Sequence, residues 1–135
     1  MKIIVVTIPH DFQRYPTFGD WQWHNEYDPT DLTGPGQDVL TVRISELEDE
    51  RDMFLGALHE IIEAFLCRRR GISGEIVDKW DMEHLDAEEP GELPDAPYHR
   101  EHVFAENIEK LVAYVLDRNW ANYGDAVATL FVKQP

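Results

Sequence analysis

Hydrophobic positions along the chain follow two different periods. Residues Lys2–Ile8 (KIIVVTI) form an almost unbroken β-branched run, as expected of a strand buried on both faces, and Pro9 ends it. Residues 21–24 suggest a short strand with Trp21 and Trp23 on one face. Residues 39–44 (VLTVRI) alternate: Leu40, Val42 and Ile44 point one way, Thr41 and Arg43 the other. Between these strands, Asp28-Pro29 and Gly34-Pro35-Gly36 mark a turn-rich connection.

The pattern then becomes helical. Ser45-Glu46-Leu47-Glu48 reads as a capping box, with Ser45 as N-cap and Glu48 at N3. Acidic residues crowd positions 46–52, where the helix dipole favours them. Arg68, Arg69 and Arg70 precede Gly71 and Ile72, which suits a Schellman-type stop. The predicted helix runs from about 46 to 70. Residues 71–97, rich in acid, Pro and Gly, read as a loop with a helical turn around 75–80. Pro97 suits the first position of a second long helix, from about 97 to 119. Its inward stripe is expected to be Phe104, Ile108, Leu111, Val112 and Val115. Residues 126–133 (AVATLFVK) read as a last short strand. The sum is a single α+β domain over 1–135, a few N-terminal strands packed on two long helices.

Composition narrows the function classes. The chain has 135 residues, 43% of them hydrophobic, which is the make-up of a folded globule. Twelve Lys and Arg against 27 Asp and Glu leave a net charge of −15. That balance argues against a general nucleic-acid binder and against adhesion to anionic membranes. No apolar run approaches the ~20 residues of a membrane span, and the first residues lack a signal peptide's length and cleavage site. Cys67 is the only cysteine, so no internal disulfide can form and a reducing, cytoplasmic setting is expected. Most of the carboxylates read as helix-start charges or a solvated loop.

Candidate chemistry lies in the first helix. Residues 53–67 read MFLGALHEIIEAFLC, in which His59, Glu60 and Glu63 are the only ionisable or strongly polar side chains apart from the thiol at the end. A helix that is apolar nearly all round is a buried one, and its single polar sector must face a cleft or a partner. Buried carboxylates need a counter-charge, yet Lys and Arg are absent between Arg51 and Arg68. A divalent cation answers that need. His-Glu-x-x-Glu is also a variant of H-E-x-x-H, in which residues i and i+4 reach one zinc and the intervening Glu takes a proton from water. Glu63 in the second ligand position makes the site more anionic and moves its preference toward Mn²⁺. A third ligand is offered by Tyr98-His99-Arg100-Glu101-His102: His102 is the first choice, with Glu101 as the alternative ligand or orienting acceptor. Asp81 and His84 are further candidates from the loop.

LGALHEIIEAFLCRRRGIS, together with APYHREHVFAENIEKL, resembles small zincin-like proteins encoded in bacteriophage and prophage genomes. The resemblance spans about residues 20–125. It implies a zincin-like fold, with a strand leading into the motif helix, and a metallopeptidase activity. Under it His59 and Glu63 would be zinc ligands and Glu60 the general base. A peptide or protein substrate and a host-cell cytoplasmic location follow from the same resemblance. Residues 39–44 would then offer a backbone edge to an extended peptide.

Other readings accompany this one. The same residues suit a metal-free polar network in a non-catalytic interaction module, and the acidic charge suits a DNA mimic that occupies a host enzyme. Glu60/Glu63 and Glu106/Glu109 form two E-x-x-E pairs that suit Mg²⁺, but the expected stripe leaves Glu106 facing solvent. Trp21, Trp23, Trp80 and Trp120 read as packing residues, and Cys67 as a small buried hydrophobe. The oligomeric state is open.

Overall fold

A computed structural model describes residues 1–27, 29, 30, 34 and 36–132. Three strands come first: β1 (Lys2–Ile8), β2 (Gly19–Glu26) and β3 (Gln37–Ser45). Four helices follow: α1 (Glu50–Arg69), α2 (Gly74–Glu83), α3 (His99–Val115) and α4 (Trp120–Ala128). The architecture is α+β, as the alternation of periods predicts. The predicted turn at Asp28 and Pro35 lies partly outside the described residues.

Strand order in the sheet is β1-β3-β2, with β1 parallel and β2 antiparallel to β3. β3 is therefore the central strand, paired on both sides. This corrects the expectation that residues 39–44 present a free edge: both rows of backbone groups are already spent. It corrects β1 as well. A strand predicted to be buried on both faces is an edge strand with Ile3, Val5 and Val6 exposed, because α1 lies over β2 and β3 instead. Leu40, Val42 and Ile44 are fully buried on the helix side, in register with Trp23, Trp21 and Gly19. Together with Ala64, Cys67 and Val77 they form the main core, so Cys67 is the buried hydrophobe expected.

Helix α1 begins later than the capping box suggests. Ser45 is still sheet: its N–H donates to the Phe18 carbonyl, its Oγ bonds His10 and Gln13, and the Glu46 N–H donates to Ile8. With Ser45 held by β1, the N-cap passes to Asp49, whose side chain accepts from the Arg51 N–H. The C-terminus follows the prediction. Gly71 takes a φ of 73°, and Ile72 donates to the Cys67 carbonyl, giving the Schellman bond.

Residues 74–83 form a full helix and not a single turn, capped by Ser73 and tied to β2 by Arg14, which bonds Asp20 and Asp78. Helix α3 stops at Val115, short of 119. Asp117 adopts a φ of 56° there, and Arg118 donates to the Ala113 carbonyl, so an aspartate closes the same motif that glycine closes after α1. The described part of 126–133 is helical, α4 running into a 3₁₀ turn at Thr129–Phe131, because Asn119 caps a new helix. Among the described residues, no helix is long and apolar enough to cross a membrane.

The largest departure concerns the face that α3 presents to α1. Three of the five residues of the predicted inward stripe point outward: Phe104 is 51% exposed, Leu111 65% and Val115 77%, while Ile108 and Val112 are half-buried. The buried residues are Glu101, His102, Ala105, Glu109 and Ala113. Apolar periodicity locates a buried face only when the partner surface is apolar, and here it carries Asp52, His59 and Glu63. Helix α1 keeps an outer side as well, with Phe54 and Phe65 exposed.

Between the two helices the apolar filling is small: Leu55 is fully buried against Ala113 and Tyr123. Leu55→Ala is expected to cost about 2–5 kcal/mol of stability, since the charged neighbours cannot collapse into the cavity. The midpoint of urea unfolding measures this, with an unchanged slope if the fold is otherwise intact.

Candidate metal centre

Helix α1 aims His59 and Glu63 at α3, which returns His102. Their donor atoms converge. His59 Nε2 lies 3.0 Å from Glu63 Oε2 and 3.2 Å from His102 Nδ1, and His102 Nδ1 lies 2.9 Å from the same Glu63 oxygen. All three residues are buried, and the group has the composition and spacing to hold a metal ion. Zinc bonds of ~2.0–2.1 Å to nitrogen and oxygen place tetrahedral donors roughly 3.3 Å apart, close to these separations. Three electron-pair donors this close repel one another unless a proton or a cation sits among them.

The surroundings orient each donor. His59 Nδ1 donates to Glu109 Oε1 at 2.8 Å, and the other oxygen of Glu109 accepts from the Tyr123 hydroxyl. That carboxylate–imidazole pair leaves His59 Nε2 as the donor for a metal. The Trp21 indole N–H holds Glu63 Oε1 at 3.0 Å, which leaves Oε2 for the centre. Gly91 presses on the His102 ring: a Cβ there would lie 2.5 Å from Cγ. His102 Nε2 is buried with no hydrogen-bond partner.

Electrostatics separate the two motif carboxylates. Burial pushes Glu60 well above the usual carboxylate range, and the Glu63 charge adds to it. Burial acts on Glu63 in the same direction, but hydrogen bonds from His102 and His59 outweigh it and hold Glu63 low. For His59, burial opposes the charge, yet the bonds to Glu109 and Glu63 raise its pKa well above the ordinary imidazole value. Glu60 lies on the cleft wall beside Gly19, where a Cβ would meet its carboxylate at 2.7 Å.

The cleft has a volume of ≈ 630 Å³ and runs between the 15–21 segment, α1, the 85–92 segment and α4. Eleven of its lining residues are Asp or Glu, and among the described residues that line it none is Lys or Arg. The acidic 85–92 segment is therefore a wall of the cleft, not only a solvated loop. Nor does Glu106 face open solvent: it lines the cleft with Glu109, which is buried.

The remaining candidates lie elsewhere. Glu101 is buried but pairs with Arg70, away from the donor cluster. Asp81 lines the cleft and accepts from the Tyr15 and Tyr98 hydroxyls. His84 stacks on Trp80 and bonds its carbonyl. Trp21 and Trp23 pack in the core, and the indole N–H groups serve Glu63 and the Ala64 carbonyl. Sequence reasoning weighed Glu109 only in an E-x-x-E pair and missed its place beside His59, although its seven-residue offset from His102 marks a shared helix face. Tyr123 lies on α4, whose first residues carry no predicted element and whose last three fall in the predicted strand.

Burial, with the Glu63 charge, raises Asp81 to about 6 despite its tyrosine donors. A carboxyl raised in the fold favours the folded state fully below its unfolded pKa near 4 and loses that contribution as pH rises through 6. Asp81→Asn is therefore expected to flatten the fall in melting temperature between pH 4 and 6, measured on metal-free protein. No family model, curated protein or solved structure matches the chain.

Proposed function

We propose that the chain is a metal-dependent hydrolase acting on peptides, with His59, Glu63 and His102 holding zinc, or manganese in its place. The observation that carries this reading is the convergence of three buried donor atoms within 3.2 Å of one another at one end of an anionic cleft. Three protein donors leave one coordination position open, as catalytic zinc sites do and structural four-ligand sites do not.

A divalent cation there supplies a Lewis acid that polarises a carbonyl and makes water easier to deprotonate. The protein's own residues do the rest. Glu109 holds the His59 tautomer, Trp21 fixes Glu63, and both keep the donor atoms aimed at one point. Glu60, next in sequence to His59 on the cleft wall, is the general base: its carboxylate, given a higher proton affinity by burial, takes the proton from water and passes it to the leaving nitrogen. An extended peptide has a place to lie: among the described residues β2 pairs only with β3, and its Gly19–Trp21 end lines the cleft. Eleven carboxylates repel a phosphate backbone and favour a neutral or basic chain.

Protein reconstituted with excess zinc is expected to retain at least one ion per chain by elemental analysis, and His59→Ala to lose the ion held by His59. Glu60→Gln should keep the metal while turnover of an internally quenched peptide library falls about 10²–10⁴-fold. Wild-type protein that holds no metal after reconstitution refutes the reading. Metal retained with no hydrolysis to lose would instead mark a metal-pinned interaction module.

A further inference from the structure

A second set of donors surrounds His102. Carboxylate oxygens of Glu89, Glu92 and Glu106 and one ring nitrogen of His102 lie within 4.8 Å of one another. Glu106 follows His102 by four residues on α3, so the two share a face. Glu89 precedes and Glu92 ends a short 3₁₀ turn, Pro90–Glu92, that is pinned in place. The Trp80 indole N–H donates to the Pro90 carbonyl at 2.9 Å, and His99 Nδ1 donates to the Gly91 carbonyl at 3.0 Å. Glycine at 91 lets this turn rest directly on the His102 ring.

His102 itself is the independent sign of a ligand. It is 8% exposed, its Nδ1 is committed to Glu63, and its Nε2 is buried without a partner. A buried imidazole nitrogen left unpaired calls for an explanation such as a missing ion. Three carboxylates in mutual reach need positive charge too, and among the described residues the ion pairs supply only Lys110, 3.7 Å from Glu106.

We propose that Glu89, Glu92, Glu106 and His102 Nε2 hold a second divalent cation, with His102 bridging the two positions through opposite ring nitrogens. The proposal rests on the first centre only in sharing His102. When both nitrogens coordinate, the ring's N–H proton passes to solvent. Three oxygens and one imidazole form a harder donor set than the first centre and suit Mn²⁺. The cleft then holds two cations of different preference, which offsets much of the negative charge on its walls.

The test uses Mn²⁺ alone. Chelator-treated full-length protein is titrated with Mn²⁺, and bound metal is counted by elemental analysis and followed by electron paramagnetic resonance. Wild type is expected to bind two ions per chain with exchange-coupled spectra. Glu92→Gln/Glu106→Gln should bind one ion with an uncoupled signal, and His59→Ala should bind one at the other position. Glu89→Gln/Glu92→Gln changes only exposed turn residues, so its folding is safe and it should also bind one. If both glutamine pairs bind as many ions as wild type, the proposal is overturned. If wild type binds a single ion that His59→Ala removes and the glutamine pairs keep, the proposal falls and the first centre stands. A single ion removed by the glutamine pairs but kept by His59→Ala has the opposite meaning. No binding by wild type overturns both.

Discussion

Charge, not oil, joins the two long helices. Along their shared face run His59 with Glu109 and Glu63 with His102, and at its two ends Asp52 with Arg118 and Arg70 with Glu101. The order is antiparallel, so each partner is set by the helix geometry as well as by its sign. Leu55, Ala105 and Ala113 are the apolar filling between them. Taking ions out of water costs several kcal/mol each, and only matched, hydrogen-bonded partners offset that cost. A shift of either helix by one turn would break all four pairs at once, which makes the ladder a strong device for register.

The rest of the molecule follows from that interface. Because much of the inner face of α3 is polar, several of its larger apolar residues are turned outward, and Phe104, Leu111, Tyr114 and Val115 are exposed. Because α1 must meet both α3 and the sheet, it covers β2 and β3 but leaves β1 bare. Helix α4 enters the arrangement through Tyr123, whose hydroxyl completes the coordination of Glu109 by hydrogen bonds. The cleft opens where the ladder meets the 85–92 segment, at His59, Glu63 and His102.

Neighbouring carboxylates in one motif are driven to opposite proton affinities by their surroundings. Glu63 receives Trp21, His59 and His102 and stays ionised, whereas Glu60 has burial and a charged neighbour and is pushed toward the proton. Such a split is what acid–base chemistry needs from two groups of the same type. The cleft also gives the overall charge a location. Eleven of the 27 acidic residues line it, so a large share of the negative charge is gathered on its walls.

Much of this was legible in the chain. Period two marked β2 and β3, and Gly71 behind three arginines marked the end of α1. His59, Glu60 and Glu63 stood out because a polar sector in an apolar helix has few physical explanations, and His102 because it lies near the start of the next long helix. What misled was local likeness. Ser45 looked like a helix cap but is held by β1, and residues 126–133 looked like a strand although Asn119 starts a helix before them. The sequence by itself determined which polar side chains the first long helix offers on one sector, since residue type and helical spacing are local properties. Only the tertiary structure decided which of them meet, sending Glu101 to Arg70, Glu109 to His59 and the acidic 85–92 segment to the cleft wall. Those choices belong to the packing of one helix on another, where the cost of unpaired buried charge selects the register and periodicity cannot see the partner.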